Sequence, residues 1–293
     1  MKDISDKRVN ISLDNPSITF DKNKCDECSI CKNICKFNVG VYGFSKDDYP
    51  CINCGSCTLA CPNKCLSEKD ETDKLEEYLH SNKVIVMQTA PAVRVSLGEE
   101  FGMKLGTNVE GKMITALRTI GADYVFDTTF GADLTVMEEA SELVNRIKTS
   151  KNLPMFTSCC PSWVKFCEMF YPEYLDNLST CKSPISMMGS VINNYFCKIN
   201  NLKREDIISI VIVHCTRKKM EIIKYNDIDL AITTRELAKY LKKEKINLAK
   251  LKNSSYNSLL GKGSSGGIIF GTSGGVTEAT LREVYHILYK RYP

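Results

Sequence analysis

No window of the 293 residues approaches the ~18 consecutive apolar residues of a membrane-spanning helix, which excludes one. The first twenty residues mix Lys, Asp and Ser without an apolar centre, so they read as neither a secretory signal nor an Arg-rich transit peptide. No basic run stands out: 39 basic and 35 acidic residues, net +4, are interleaved, and nucleic acid is not expected as a partner. Apart from a doubled cysteine run, no repeat of ~20 to 50 residues is visible. Nor is there a G-x-x-x-x-G-K-S/T phosphate loop. Hydrophobic residues at 43% and charged residues at 25% are globular values that exclude disorder and collagen-like repeats. The length suits about two domains of ~150 residues each.

Cysteine is in excess. Of fifteen, nine lie between Cys25 and Cys65, none follow until Cys159, and six lie from there to Cys215. With no export signal, the chain is expected in the cytoplasm, where clustered thiols mean metal rather than disulfides. Cys25, Cys28, Cys31 and Cys35 form C-x-x-C-x-x-C-x-x-x-C, and Cys51, Cys54, Cys57 and Cys61 repeat it before Pro62. Zinc would favour two C-x-x-C pairs on separate knuckles. The segment from about 20 to 68 resembles a bacterial 4Fe-4S ferredoxin, whose fourth cysteine ligates the other cluster. The resemblance implies one cluster on Cys25, Cys28, Cys31 and Cys61 and a second on Cys51, Cys54, Cys57 and Cys35. Lys36 departs from the proline that often follows the fourth cysteine, and Cys65 is a ninth thiol expected to pack.

Beyond Ser67–Glu77, a charged linker or helix start, apolar strands alternate with amphipathic helices. Val84–Met87, Tyr124–Phe126, Ile207–Val213 and Leu230–Ile232 read as strands. Leu134–Ile147, Ser162–Phe170, Pro184–Asn194, Thr234–Lys243 and Thr277–Tyr289 read as helices. The expected fold class is α/β: a small α+β ferredoxin-like domain, then a two-lobed α/β domain with mostly parallel sheets. The expected boundaries are an N-terminal segment at 1–20, the ferredoxin-like domain at 21–75 and the larger domain at 80–293.

In the larger domain, adjacent thiols in Phe156-Thr157-Ser158-Cys159-Cys160-Pro161-Ser162-Trp163 stand at a helix N-terminus, where the dipole favours thiolate. This segment resembles the T-S-C-C-P-x-W motif of the iron-only (FeFe) hydrogenases. Gln88–Arg94, Gly98–Gly102, Phe126–Thr128, Ala132–Glu139, Leu178–Pro184 and Gly271–Val276 with Glu278 and Arg282 are similar to the family too. The resemblance implies an H-cluster, a 4Fe-4S cubane joined to a diiron unit carrying CO, cyanide and a dithiolate. Cys160 and Cys215 would ligate the cubane. Cys159 would exchange protons with the diiron amine, and Lys218, in Val213–Glu221, would pair with a cyanide. Glu139, Glu142 and Arg146 share one helical face. They match the family's proton relay, which runs from Cys159 through Glu139, Ser179 and Glu142 to Arg146 at the surface. Ala90, Pro91 and Phe270 match positions lining the diiron pocket.

His214 and Val213 replace a proline and a methionine of the second motif, and Ile185 replaces a glutamine. His80 and His286 carry no motif. No cysteine follows Cys215, so the third motif, E-x-M-A-C-x-x-G-C, is missing. Cys167, Cys181 and Cys197, on expected helices, read as small core residues.

Two functions are therefore expected. The first is a ferredoxin-linked hydrogenase reducing protons reversibly to dihydrogen, or the N-terminal part of one. Its partners would be ferredoxin or a similar redox protein and the hydrogenase maturation proteins. The second is a catalytically incompetent, hydrogenase-derived electron-transfer or sensor protein. The 293 residues alone are expected to bind ferredoxin clusters but evolve little hydrogen, and a longer natural chain would encode the third motif after Pro293.

Overall fold

The structure is a computed structural model that describes residues 6–42, 49–291 and 293. Residues 1–5 of the expected N-terminal segment and 43–48 of the expected ferredoxin-like domain lie outside the described residues. The chain forms two compact units, each assembled from separated stretches. The smaller comprises Met1–Asp70, Cys160–Leu175 and Cys215–Glu221; the larger comprises Glu71–Cys159, Asp176–His214 and Ile222–Pro293. The units thus do not follow the sequence boundary near residue 75. The physical reason lies in two hydrogen bonds within the smaller unit: Ser162 Oγ donates to Ile52 O at 3.1 Å and Thr216 Oγ1 to Asn53 O at 2.8 Å. They tie distant stretches onto the cysteine-rich chain.

In the smaller unit, β1 (Ile18–Phe20) pairs antiparallel with β2 (Leu66–Glu68), Phe20 opposite Leu66. Between them lie α1 (Ile30–Asn33), a π-helical stretch Ile34–Val39 and α2 (Ser56–Ala60). Such short elements bury little, and the core is a cluster of Val9, Ile11, Ile18, Cys31, Tyr42, Cys57 and Leu66.

The larger unit opens with α3 (Thr72–Leu79), β3 (Val84–Thr89), α4 (Val93–Ser96), α5 (Glu110–Thr119), β4 (Tyr124–Asp127) and α6 (Thr129–Thr149). In chain order α7 (Pro161–Phe170), part of the smaller unit, comes next. Then follow α8 (Pro184–Val191), a π-helical turn Ile192–Phe196, α9 (Cys197–Ile199) and β5 (Ile207–Val213). The chain continues through α10 (Lys218–Tyr225), β6 (Leu230–Thr233), α11 (Thr234–Lys243), α12 (Ser265–Phe270) and α13 (Gly275–Tyr289).

The four longer strands form one parallel sheet in the order β4-β3-β5-β6. A parallel sheet is covered on both faces, so its strands read as continuous apolar runs; all seven residues of β5 are buried. Alternation sorts them: Ile85, Met87, Ile208, Ile210 and Ile212 pack with Leu75, Ile114 and Leu237. Val86 and Ile207 pack the other way with Met188, Ile192 and Phe196. The α/β class with a mostly parallel sheet is thus observed. Among the described residues no helix is long and apolar enough to cross a membrane.

Candidate functional site

The two cysteine runs share one backbone. Glu27 and Asn53, each one residue before the second cysteine of its run, have φ of 55° and 56°. Ser29 and Gly55, each just after that cysteine, have φ of 66° and 80°. These left-handed residues curl each C-x-x-C-x-x-C stretch. Cys35, Cys51, Cys54 and Cys57 line one small cavity with Val9, Ile11 and Ile18. Burial, reinforced by neighbouring thiols, pushes Cys35 up to about 11 and raises Cys51 and Cys57 as well. Cys31 lies within electrostatic reach of Cys25 and Cys61, whereas Cys28 is exposed. Among the described residues no three such groups close on a single metal ion; the second set rings a cavity instead. Crowded, apolar-walled thiols in fours have the donor chemistry of 4Fe-4S clusters, so the residues fit that group.

Cys160 caps the N-terminus of α7, with Pro161 in its first turn. Cys160 is exposed, and Cys215, half-buried, is raised by burial with Cys160 acting in the same direction. Two such thiols are half the number a cubane takes. The Lys218 ammonium is not a surface group; its side chain is 13% exposed and pairs with Glu221 at 2.5 Å. The sequence reading missed Arg217. Burial depresses its guanidinium, while Cys51, Glu168, Cys215 and Cys160 favour its charge. Its place between Cys215 and Lys218 was the only signal.

The remaining acid–base residues gather in the larger unit around α6. Asp127 Oδ1 accepts from Thr129 N at 3.0 Å at its start, and Ser150, with φ of 52°, ends it. Glu139 is fully buried. Its Oε2 accepts from Thr280 Oγ1 at 3.3 Å, and among the described residues its Oε1 has no hydrogen-bond partner. Burial raises its pKa, against the lowering pull of the Ser158 backbone, Thr280 and Ser179. Ser179 Oγ donates to Glu142 Oε2 at 2.9 Å, and Arg146 Nη2 donates to Glu142 Oε1 at 2.6 Å. Burial alone would raise Glu142; Arg146, Ser179 and the Thr180 N–H outweigh it and hold it below the ordinary carboxylate range. Cys159, half-buried, ends the stretch from Phe156, whose N–H binds Asn177 O and whose carbonyl accepts from Ser179 N at 2.7 Å.

Two expectations need correction. Arg146 is not at the surface: it is 7% exposed and donates to the carbonyls of Asn152, Asp176, Asn177 and Leu178 as well as to Glu142. Those carbonyls come from the turn just after α6 and from the end of the 3-10 helix Pro172–Asn177 with the following Leu178, which the helical pattern of α6 does not reveal. Cys181 is not helical; it lies before α8 with its thiol directed at Glu142 Oε2 at 3.7 Å. Cys167 and Cys197 are helical and buried, as expected. Ala90 is buried beyond β3, its N–H bound to Ile212 O at 2.9 Å. Phe270 closes α12, and Cβ of a residue at neighbouring Gly271 would stand 3.6 Å from Pro91 Cβ. Thr280, unread in the sequence, reaches Glu139 from α13.

The chain is 41% identical to iron hydrogenase 1 of Clostridium pasteurianum over 302 aligned positions, covering 94% of this chain and 53% of that one. A solved structure of HydA(deltaEFG), described as revealing stepwise FeFe-hydrogenase H-cluster assembly, superposes with a TM-score of 0.69 at 36% identity. It covers 77% of this chain and 59% of that one. More weakly, cytosolic iron-sulfur assembly component 3 of Bos taurus is 28% identical over 243 positions, 75% of this chain and 50% of that one. The chain spans about half the length of the curated relatives it matches. Residues 83–292 match the family described as "Iron only hydrogenase large subunit, C-terminal domain", and the chain belongs to that family.

Proposed function

We propose that the chain is the electron- and proton-handling part of an FeFe-hydrogenase, an oxidoreductase of the cytoplasm that interconverts protons and electrons with dihydrogen. Its electrons come from ferredoxin or a similar small redox protein. Cys25, Cys28, Cys31 and Cys61 hold one 4Fe-4S cluster, and Cys35, Cys51, Cys54 and Cys57 hold another. Cys160 and Cys215 give two thiolates to the H-cluster, which hydrogenase maturation proteins insert. When bound, the cubanes store and pass single electrons and the H-cluster supplies the hydrogen-activating metal.

The carrying observation is the sequence of proton-handling groups beside α6. Cys159 offers a thiol proton at the inner end. Glu139, biased towards its neutral form by burial, can accept and release a proton. The Ser179 hydroxyl both donates and accepts, and it already donates to Glu142 at 2.9 Å. Glu142, held ionised, receives the proton at the outer end. Arg146 has no acceptor and keeps its charge; it positions Glu142 and carries no proton itself. Lys218 stands near Cys215, half-buried and paired with the buried Glu221.

The test is a chimera joining this chain to the complementary C-terminal part of the Clostridium pasteurianum relative, produced with the maturation proteins. It should evolve hydrogen from a low-potential electron donor. A fully metallated chimera that evolves none would favour a non-catalytic iron–sulfur role.

A further inference from the structure

We infer that Cys65 is a reserve ligand for the cluster assigned to Cys25, Cys28, Cys31 and Cys61, placed to take the position of Cys61. The inference rests on reading those cysteines as 4Fe-4S ligands. The first set has five thiols for four positions, and the fifth stands beside a ligand. Cys65 Sγ lies 3.1 Å from Cys61 Sγ, and Cys25 is within electrostatic reach of Cys65.

The backbone holds this arrangement. Lys64 N donates to Cys61 O at 3.3 Å, and Lys64 turns the chain back with φ of 49°. Cys65 O then accepts from Asp21 N at 2.8 Å, directly before β2 begins at Leu66. Cys65 is 6% exposed, so it is pinned rather than swinging. Ordinary packing does not account for it. Cys197, a buried packing thiol, lies among Phe196, Ile192 and Met188, and Cys167 donates to Tyr171 O. Among the described residues neither hydrogen-bonds to another thiol. The cavity lined by Cys35, Cys51, Cys54 and Cys57 has no fifth cysteine in its wall.

The exchange is redox-neutral. An iron–sulfur bond to Cys61 breaks, one to Cys65 forms, and the proton leaving the Cys65 thiol passes to the Cys61 thiolate. Where Cys61 is removed or alkylated, Cys65 completes the set of four thiolates.

The experiment is anaerobic reconstitution of the whole chain, with iron and acid-labile sulfide counted and the reduced protein examined by electron paramagnetic resonance. The parent should hold at least ~8 iron atoms, two cubanes' worth. Cys61→Ala and Cys65→Ala should each keep the parent's iron, with Cys61→Ala changing the resonance of one cluster. The double variant Cys61→Ala/Cys65→Ala should lose ~4 iron atoms, one cubane's worth. Loss of iron from Cys61→Ala alone overturns the inference, including a drop of ~1 iron that would mark an incomplete cluster with three thiolates. So does loss from Cys65→Ala alone, which would make Cys65 a primary ligand, or full iron in the double variant. A parent without cubane iron overturns the two-cluster reading itself, a result distinct from all of these.

Discussion

The Ser179 hydroxyl meets Glu142 Oε2 at 2.9 Å, so a residue from the loop before α8 and one from the middle of α6 share a hydrogen bond. On the opposite carboxylate oxygen, Arg146 bonds Glu142 while also binding four backbone carbonyls. Breaking a buried ion pair by removing one partner costs ~3–5 kcal/mol. Arg146→Ala should therefore lower the chain's stability by about that amount, read as a shift in denaturant midpoint. A loss under ~1 kcal/mol would place Arg146 among surface pairs and contradict its structural role.

Glu139 and Glu142 should have opposite pH signatures. Burial raises Glu139 above its ordinary 4.5, so the folded state binds more protons than the unfolded state just above that pH. Its contribution therefore erodes stability as pH rises from 4.5 through the raised value. Glu142 is lowered from the same ordinary value; its contribution is present above 4.5 and is lost as pH falls through the lowered value. The stability curve of Glu139→Gln should be flatter than the parent's as pH rises from 4.5 through the raised value, with Glu139→Gln gaining most at the upper end. Parallel curves for parent and variant would show that Glu139 titrates normally.

Gly131 permits α6 to approach α8. A Cβ there would lie 2.2 Å from Pro184 O and 3.1 Å from Met188 Cβ. Carbonyl backbone cannot move aside as a flexible side chain can, so Gly131→Ala should cost at least ~1–3 kcal/mol, the range for overpacked interiors. Thermal unfolding of the variant checks it, and an unchanged midpoint would mean the helices separate freely.

Much of the fold could be read because its signals are local. β5 is apolar at every position because the sheet is covered on both faces. Both ends of α11 match the expected helix Thr234–Lys243, and in the structure Thr233 and Glu236 form a reciprocal cap at its start. Pro184–Asn194 was read as one regular helix, whereas a π-helical turn begins at Ile192; periodicity does not register one extra residue per turn. The cysteine spacing is visible in sequence, but the left-handed Glu27 and Ser29 that shape it are not, since neither residue favours that conformation. Thr280 and Arg217 went unread for a different reason. Each acts on groups remote in the chain, Thr280 on Glu139 and Arg217 on Cys51, and only folding brings them together.

Cys159→Ala tests the proton-handling reading most directly. In the chimera with the complementary part of the Clostridium pasteurianum relative, hydrogen evolution is compared with iron content for parent and variant. General acid–base groups contribute ~100- to 10,000-fold. Hydrogen evolution should therefore fall by at least ~100-fold while iron and sulfide stay at the parent's level. Turnover within about twofold of the parent, far below that contribution, would contradict the account and route protons away from Cys159.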